Sequence, residues 1–469
     1  MVGMLAAMPP APSNRPNRDE PLVTPVRDRG DACPGALRLH SADDGALARV
    51  RVPAGVVSAA QAYALADAAE RLGDGALDIT SRGNLQLRGL GPGCAGELAD
   101  LLDTAGLLPA PRHERVRNIV ASPLSGLDGR GHLDVQPLVR ELDALLCASE
   151  RAPELSGRFL FALDDGRGDM AELAPDVMLL AEPGGAEVRV TVGSASARVR
   201  AEDGPRAMLL AAEAFLDAAS ATGTRAWRVR ELPRSGAELA DAPVWRERCS
   251  GPVGSVGPGG RCASEGAAAP RWGLRAPAPA PRTPAGPGTG GPRPGPVAGG
   301  DGGVGGMSVG VPFGRLSVGA WRALARVAQA HGTGELRVTP WRGVVVPGAG
   351  PEQLGVPAEA GLVTDPDSPW LGVGACTGRP GCAKSLADVR ADATAHLNAG
   401  AGGLPVYWSG CERRCGHPRG TWVDVVATGD GRYDLAVRGA GTDELPGPRT
   451  LPELADALAA ARTITTPTK

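Results

Sequence analysis

From residue 36 onward, short stretches in which apolar and polar residues alternate are interleaved with longer stretches of helical period. Strands are predicted over 36–40 and 47–52, joined by the hairpin signal Asp43-Asp44-Gly45. Ser58, with Gln61 three residues on, forms a capping-box signature that opens a helix, and Gly73 closes it. Two more strands follow over 77–80 and 85–88, then a helix over 97–104. Helices on one face of an antiparallel sheet is the arrangement this order implies, which places the unit in the α+β class.

The unit recurs. A strand is predicted over 307–311, Ser317 caps a helix running to 330, and glycines at 332 and 334 end it. The string L-R-V-T-P-W-R-G-V-V-V at 336–346 then echoes L-D-I-T-S-R-G-N-L-Q-L at 77–87. Read with one residue added in the turn, Thr80 aligns with Thr339, Arg82 with Arg342 and Gly83 with Gly343. A repeat at this distance implies duplication about a pseudo-twofold axis. The segments after each copy also correspond, more weakly. Strands over 159–163, 176–181 and 188–192 lead to a helix over 207–219. Strands over 404–408, 424–427 and 433–437 lead to one over 452–462.

Between the halves, 241–306 is dense in Gly, Pro and Ala without hydrophobic period, which predicts a flexible insert. Residues 1–30 are Pro-rich and read as a disordered tail. The 469-residue length implies two or three domains, and the formal charge of −3 argues against a general nucleic-acid binder. No apolar run approaches the ~20 residues that span a bilayer, and no basic leader precedes an apolar core, so a cytoplasmic location is expected. Only Lys384 and Lys469 are lysines among 49 basic residues, so anionic groups must be met by arginine forks.

Four of the nine cysteines fall in two Gly- and Pro-rich turns: Cys376 and Cys382 as C-x5-C, Cys411 and Cys415 as C-x3-C. A helix-like run over 384–397 separates them. Disulfides would need an oxidising compartment, to which nothing points. Zinc remains open, although its paired ligands usually stand two to four residues apart. A 4Fe–4S cluster is wider and suits the five-residue gap better. Cys33, Cys94 and Cys147 are isolated and read as small hydrophobes; Cys249 and Cys262 match no ligand pattern.

The two pairs, with G-C-x-x-x-C-G at the second, resemble the cluster motif of the nitrite and sulfite reductase superfamily. The strings C-T-G-R-P-G-C-A and S-G-C-E-R-R-C-G-H-P resemble most its precorrin-3B synthase branch. The resemblance implies a duplicated α+β fold: two ferredoxin-like half-domains (31–110 and 307–360) plus two α+β domains (111–240 and 361–469) about a pseudo-twofold axis. It implies that all four cysteines bind a 4Fe–4S cluster, Cys415 bridging to sirohaem iron in relatives that carry sirohaem. It also implies a line of residues facing the macrocycle or its bound anion: Arg82 and Gln86 in T-S-R-G-N-L-Q, Arg117 in V-R-N-I-V-A-S-P, Arg158, and Arg342. Where sulfite reductases usually carry a second basic residue beyond the position of Arg158, this chain has Leu160. The implied activity is oxygen-dependent hydroxylation of precorrin-3A at C20 with γ-lactone formation. It would draw on dioxygen, an additional iron and an external electron donor, with a sirohaem nitrite or sulfite reductase as the alternative. His417 is a further candidate for an iron or proton role. No dinucleotide fingerprint follows a strand, so direct nicotinamide binding is unsupported.

Overall fold

The computed structural model describes residues 31, 33–237, 239, 290–399, 403–418, 420–439, 443–444 and 449–463. The expected tail at 1–30, most of the expected insert, and Cys249 and Cys262 lie outside the described residues.

The first half begins with β1 (His40–Ala42), β2 (Gly45–Val50), β3 (Val56–Ser58), α1 (Ala59–Leu72), β4 (Ala76–Ile79), β5 (Leu85–Leu90) and α2 (Ala95–Thr104). It continues with β6 (Ile119–Ala121), α3 (Gln136–Ala148), β7 (Phe161–Asp164), β8 (Val177–Ala181), β9 (Glu187–Val192), β10 (Ala195–Arg200) and α4 (Gly204–Ala221). The second half opens with β11 (Gly295–Ala298), β12 (Val304–Gly310), β13 (Arg315–Ser317), α5 (Val318–His331), β14 (Glu335–Val338), β15 (Gly343–Pro347) and α6 (Gly355–Glu359). It ends with β16 (Val373–Ala375), α7 (Val389–Ala395), β17 (Val406–Ser409), β18 (Trp422–Gly429), β19 (Arg432–Arg438), the two-residue strands β20 (Asp443–Glu444) and β21 (Arg449–Thr450), and α8 (Leu451–Arg462).

Four sheets result. Two are antiparallel, in the orders β1-β2-β5-β4-β13 and β11-β12-β15-β14-β3. Each contains one strand of the other half: β13 pairs β4, and β3 pairs β14. The two units therefore share one core, in which α1 packs on α5 and the Trp321 indole donates to the Ala62 carbonyl at 2.8 Å. The other two sheets run β6-β7-β8-β9-β10 and β16-β17-β18-β19-β20, the latter with β21 also on β19, and in each two parallel pairs are followed by antiparallel ones. This is the duplicated α+β architecture expected from the sequence.

The local signals explain why these elements form. The Ser58 hydroxyl accepts from the Gln61 amide while the Gln61 side chain accepts from Ser58, the full capping box; Ser317 caps α5 in the same way on one side. Gly73 and Gly332 end the two helices.

The structure corrects the repeat register. A constant offset of 259 relates Pro53 to Pro312, Ala54 to Phe313, Gly55 to Gly314 and Ser58 to Ser317, and both Ala54 and Phe313 take a φ of 52°. The offset persists through the turn: Thr80 N donates to Asn84 O, and Thr339 N donates to Gly343 O, both at 2.9 Å. No residue is added. Arg82 therefore corresponds to Trp341, and Arg342 corresponds to Gly83, the two sharing a left-handed φ of 60° and 66°. The adjacent R-G pairs looked alike, but backbone hydrogen bonding sets the match.

A second correction concerns the insert. Residues 295–306 are not loop: β11 and the start of β12 form a hairpin that is the counterpart of β1-β2. Pro296 is tolerated because β11 is an edge strand. The helix expected over 384–397 is confined to α7, since the Leu386 amide is drawn to the Gly410 carbonyl and Asp388 provides the N-cap.

A candidate groove between a cysteine corner and an arginine pole

Strand alternation gives the first sheet two unlike faces. Ala48, Val50, Leu77, Ile79, Leu85 and Leu87 point into the core. On the opposite face, strand register aligns Arg49 with Gln86, Gln86 with Asp78, and Asp78 with Arg315 across β2-β5-β4-β13. This polar row connects two groups of residues.

At one end lie the cysteines. Cys376 follows β16 directly and Cys411 follows β17 by one residue, so both leave the same ends of neighbouring parallel strands. The Gly410 amide donates to Cys376 Sγ at 3.2 Å. Burial first, and then the charges of Cys376, Cys411 and Cys382, push the Cys415 thiol up. Among the described residues, no three His, Cys, Asp or Glu side chains converge closely enough to hold a single metal ion.

The first half grips this corner. Asp44, in the β1-β2 turn, takes Arg88 in a bidentate pair at 2.8 Å, and Arg88 donates onward to the Gly381 carbonyl at 3.0 Å. Asp43 accepts from the Ala383 amide at 2.7 Å. The Cys382 loop is thus pinned by the opposite half of the chain. Arg390 donates to the Cys376 carbonyl at 3.1 Å and stands 3.6 Å from Asp78. The Tyr407 hydroxyl donates to the Cys415 carbonyl. Arg342 lies over the Tyr407 ring and reaches the Gly416 carbonyl at 3.5 Å. Glycine is required at 410, where a Cβ would stand 1.9 Å from Ser385 Oγ. His417 stacks on Trp422 at 4.9 Å and is exposed.

At the other end, Arg51 and Arg82 both donate to the Gly157 carbonyl, at 3.2 and 3.4 Å. Arg49 reaches Gln86 Oε1 at 3.3 Å. Arg158 lies over the Trp227 ring at 4.8 Å. Beside them, Arg228 pairs with Asp176, at the wall of a cavity of about 290 Å³. Of the arginines expected in the groove, Arg82 and Arg158 are at this pole, and Arg342 is at the cysteine corner. Arg117 stands apart from both: it pairs bidentately with Asp143 at 2.7 Å and donates to the Leu107 carbonyl. Cys33 is no simple hydrophobe, because its thiol feels Asp31 and Arg158 as well as burial.

Sequence reasoning missed Arg49, Arg51, Arg88, Arg390 and Tyr407. A signal was present for the first two: in A-R-V-R-V, alternation places both arginines opposite the valines, on the face that also carries Gln86.

The register also shows how the corresponding corner of the first half differs from the cysteine corner. Gly374, Tyr407 and Asp424 occupy sheet positions filled in the first half by Val120, Ala162 and Met178. There, with Leu160, Met170 and Trp341 added, the face is sealed by apolar packing.

Comparison with known proteins agrees with this layout. The Nitrite/Sulfite reductase ferredoxin-like half domain matches twice, at 40–105 and 299–356, the two units that exchange strands. In both ferredoxin-like units the chain matches the nitrite and sulfite reductase family. The chain is 28% identical over 426 residues to a precorrin-3B synthase from Sinorhizobium sp, covering 88% of this chain and 83% of the relative. A ferredoxin–nitrite reductase from Synechococcus elongatus is 38% identical over 127 residues, only 26% of this chain and 25% of the relative. The Mycobacterium tuberculosis NirA protein superposes with a TM-score of 0.64 at 17% identity over 88% of this chain and 79% of that one, which shows a shared fold. Superfamily members of this kind are oxidoreductases. Among the described residues, no helix is long and apolar enough to cross a membrane.

Proposed function

We propose that this protein is a precorrin-3B synthase, hydroxylating precorrin-3A at C20 with γ-lactone formation in aerobic cobalamin biosynthesis. The observation that carries the reading is the near full-length similarity to a precorrin-3B synthase. Two features support it. Leu160 is buried in the apolar cluster under Trp341, so the chain lacks a cation where sulfite reductases usually add one to their oxyanion site. The cysteine corner and the arginine pole also bound one sheet face, which suits a ring bearing carboxylate arms.

In this reading Cys376, Cys382, Cys411 and Cys415 hold a 4Fe–4S cluster. Cys376 and Cys411 leave the same ends of neighbouring parallel strands, and Cys382 and Cys415 follow in the next loops, a layout that suits a group wider than an ion. The Gly410 amide, aimed at Cys376 Sγ, stabilises a thiolate there. Such a cluster supplies electrons one at a time. The chain's own residues do the rest. Arg82 and Arg158 orient carboxylate arms through fork geometry, Gln86 lies in the row between the poles, and Arg88 with Asp44 fixes the Cys382 loop. One oxygen atom of O₂ enters the product and the other leaves as water. The balance requires two electrons and two protons, the electrons coming from a donor outside the chain. Arg342 serves the cysteine corner, and Arg117 serves a supporting ion pair. An additional iron and a cytoplasmic location belong to the same reading.

The test is conversion of precorrin-3A by the anaerobically purified, cluster-loaded protein given oxygen and a reductant. Product formation, lost in Cys411→Ser, is expected. A strong tetrapyrrole Soret band in the protein as isolated, with reduction of nitrite or sulfite and no conversion of precorrin-3A, would establish the reductase alternative instead.

A further inference from the structure

We propose that Arg390 is a positioning residue for the redox centre of the cysteine corner: it fixes the backbone of Cys376 and supplies positive charge that favours electron uptake there. The proposal rests on the cluster reading above and adds to it a residue outside the cysteine motif.

Three observations carry it. The first is position. Arg390 is the second residue of α7, whose N-cap Asp388 accepts from the Ala391 amide at 3.1 Å. Arg390 Nε donates to the Cys376 carbonyl at 3.1 Å, and its Nη2 stands 3.6 Å from Asp78 Oδ1 on β4. One guanidinium thus joins a cysteine of the second half to the polar row of the first.

The second is surplus positive charge. Arg390 and Asp78 are mostly shielded, their side chains 21% and 13% exposed. Among the described residues, Asp78 is the one carboxylate within ion-pair distance of Arg390, and it is shared, since its Oδ2 accepts from Arg315 at 3.0 Å. At 3.6 Å the Arg390 contact is too long for a hydrogen bond, and Asp78 Oδ1 has none. Burial pushes the Arg390 guanidinium down and Asp78 holds it up; Arg315 and Arg342 press it down again, and Cys376 holds it up. Arg342 reaches the Gly416 carbonyl, beside Cys415. Shielded cations with incomplete partners are costly to keep, and a cation in the first turn also works against the helix dipole.

The third is that the fold does not need the cation. The segment 376–390 has a counterpart of equal length at 122–136. Each follows the first strand of its sheet, β16 or β6, and each reaches its helix through Asp-Val. The Arg379 amide donates to the Ala387 carbonyl where Ser125 Oγ donates to the Leu133 carbonyl. In this counterpart the neutral Gln136 opens α3 in place of Arg390. A charge kept at a cost in one half alone, on the backbone of a cysteine, points to negative charge that collects at that corner. A thiolate-held cluster that accepts one electron gains one negative charge without forming or breaking a bond, and nearby charge and burial set the potential of that step.

The test is a redox titration of the anaerobically reconstituted full chain, once its iron and acid-labile sulfide are counted. Dithionite is the reductant, and the electron paramagnetic resonance signal of the reduced cluster is the readout. Arg390→Met should lower the midpoint potential by about 59 mV, a tenfold shift in the one-electron equilibrium. Arg390→Lys, which keeps the charge, should stay closer to wild type. Asp78→Asn removes the opposing charge at the other end of the contact and should raise the potential. Opposite shifts from the two ends of one contact are not what a loosened loop gives. An unchanged potential in Arg390→Met, an equal shift in Arg390→Lys, or a downward or absent shift in Asp78→Asn would each overturn the proposal. Should Arg390→Met fail to take up a cluster, Arg390→Lys and Asp78→Asn decide by the same readout. If wild type carries the cluster and the variants titrate as wild type does, this inference alone fails. If reconstituted wild type holds zinc and no sulfide, the cluster reading fails with it.

Discussion

Asp169 shows how burial can make one side chain pH-dependent. Burial first, and the charge of Asp164 second, hold its carboxyl up to about 7, while Ser122 Oγ donates to it at 2.6 Å. A folded pKa above the unfolded value means that between about pH 4 and 7 the folded state keeps a proton the unfolded chain releases. Stability should therefore fall as pH rises through that window, by roughly 4 kcal/mol at the upper limit, and level off above it. Asp169→Asn should flatten the decline and raise stability at pH 8, measured by urea unfolding across the range. A variant whose pH dependence matches wild type would show that Asp169 titrates normally. A second residue-scale case is Arg342, which takes a φ of 60° at the position where the first copy has Gly83. Left-handed backbone favours glycine by about 1 kcal/mol. Arg342→Gly should therefore be more stable than Arg342→Ala by about that amount in urea titrations, while both lose the contact to Gly416. Equal stabilities would mean the turn relaxes when the side chain is removed. Arg342 also marks where the sequence misled. The repeated R-G dipeptide invited a match between Arg82 and Arg342, because a string does not reveal which residue takes the left-handed position.

At the scale of elements, much could be read directly. The capping box at Ser58, the cap at Ser317 and the glycine ends of α1 and α5 are local signals, and each forms as expected. What escaped was non-local or compositionally masked. The three-residue strands β3 and β13 carry too short a pattern to announce themselves, and their partners lie in the other half. β11 hides in Gly-Pro-Val-Ala within a Gly- and Pro-rich run. The cysteines were legible as a spacing, but the β1-β2 turn that holds their loop was not, since Asp43 and Asp44 are more than 330 residues away from Ala383 and Gly381. That hairpin supplies a test. Arg88 and Asp44 are both mostly shielded, so removing Arg88 frees the Gly381 carbonyl and leaves a carboxylate without its partner. Arg88→Met should leave the far-ultraviolet dichroism of the protein unchanged. It should speed iron loss to a chelator severalfold if the cysteines hold a cluster. Iron retained at the wild-type rate would show that the hairpin does not steady the Cys382 loop.

For the whole molecule, strand exchange makes the halves interdependent. Without the second half, β4 is a bare edge and the core loses Trp321, Leu324 and the rest of α5. Without the first half, β14 loses β3 in the same way. Exposed edges of this kind invite aggregation. A fragment of residues 1–260 produced alone should be insoluble or lack cooperative unfolding, and so should a fragment of 261–469. Co-expressed, they should recover a stable complex, because the cut falls outside the described elements and β3 and β13 can still cross between the chains. Co-purification through a tag on one fragment, with a single melting transition, is the expected result. Independent folding of either fragment would mean that each ferredoxin-like unit closes its own sheet. The exchange also bears on function: the Arg88 hairpin belongs to one half and the paired cysteines to the other, so the hairpin holds the Cys382 loop only while the two halves are joined. A reconstituted pair should therefore recover ring binding together with its melting transition, and neither property should return without the other.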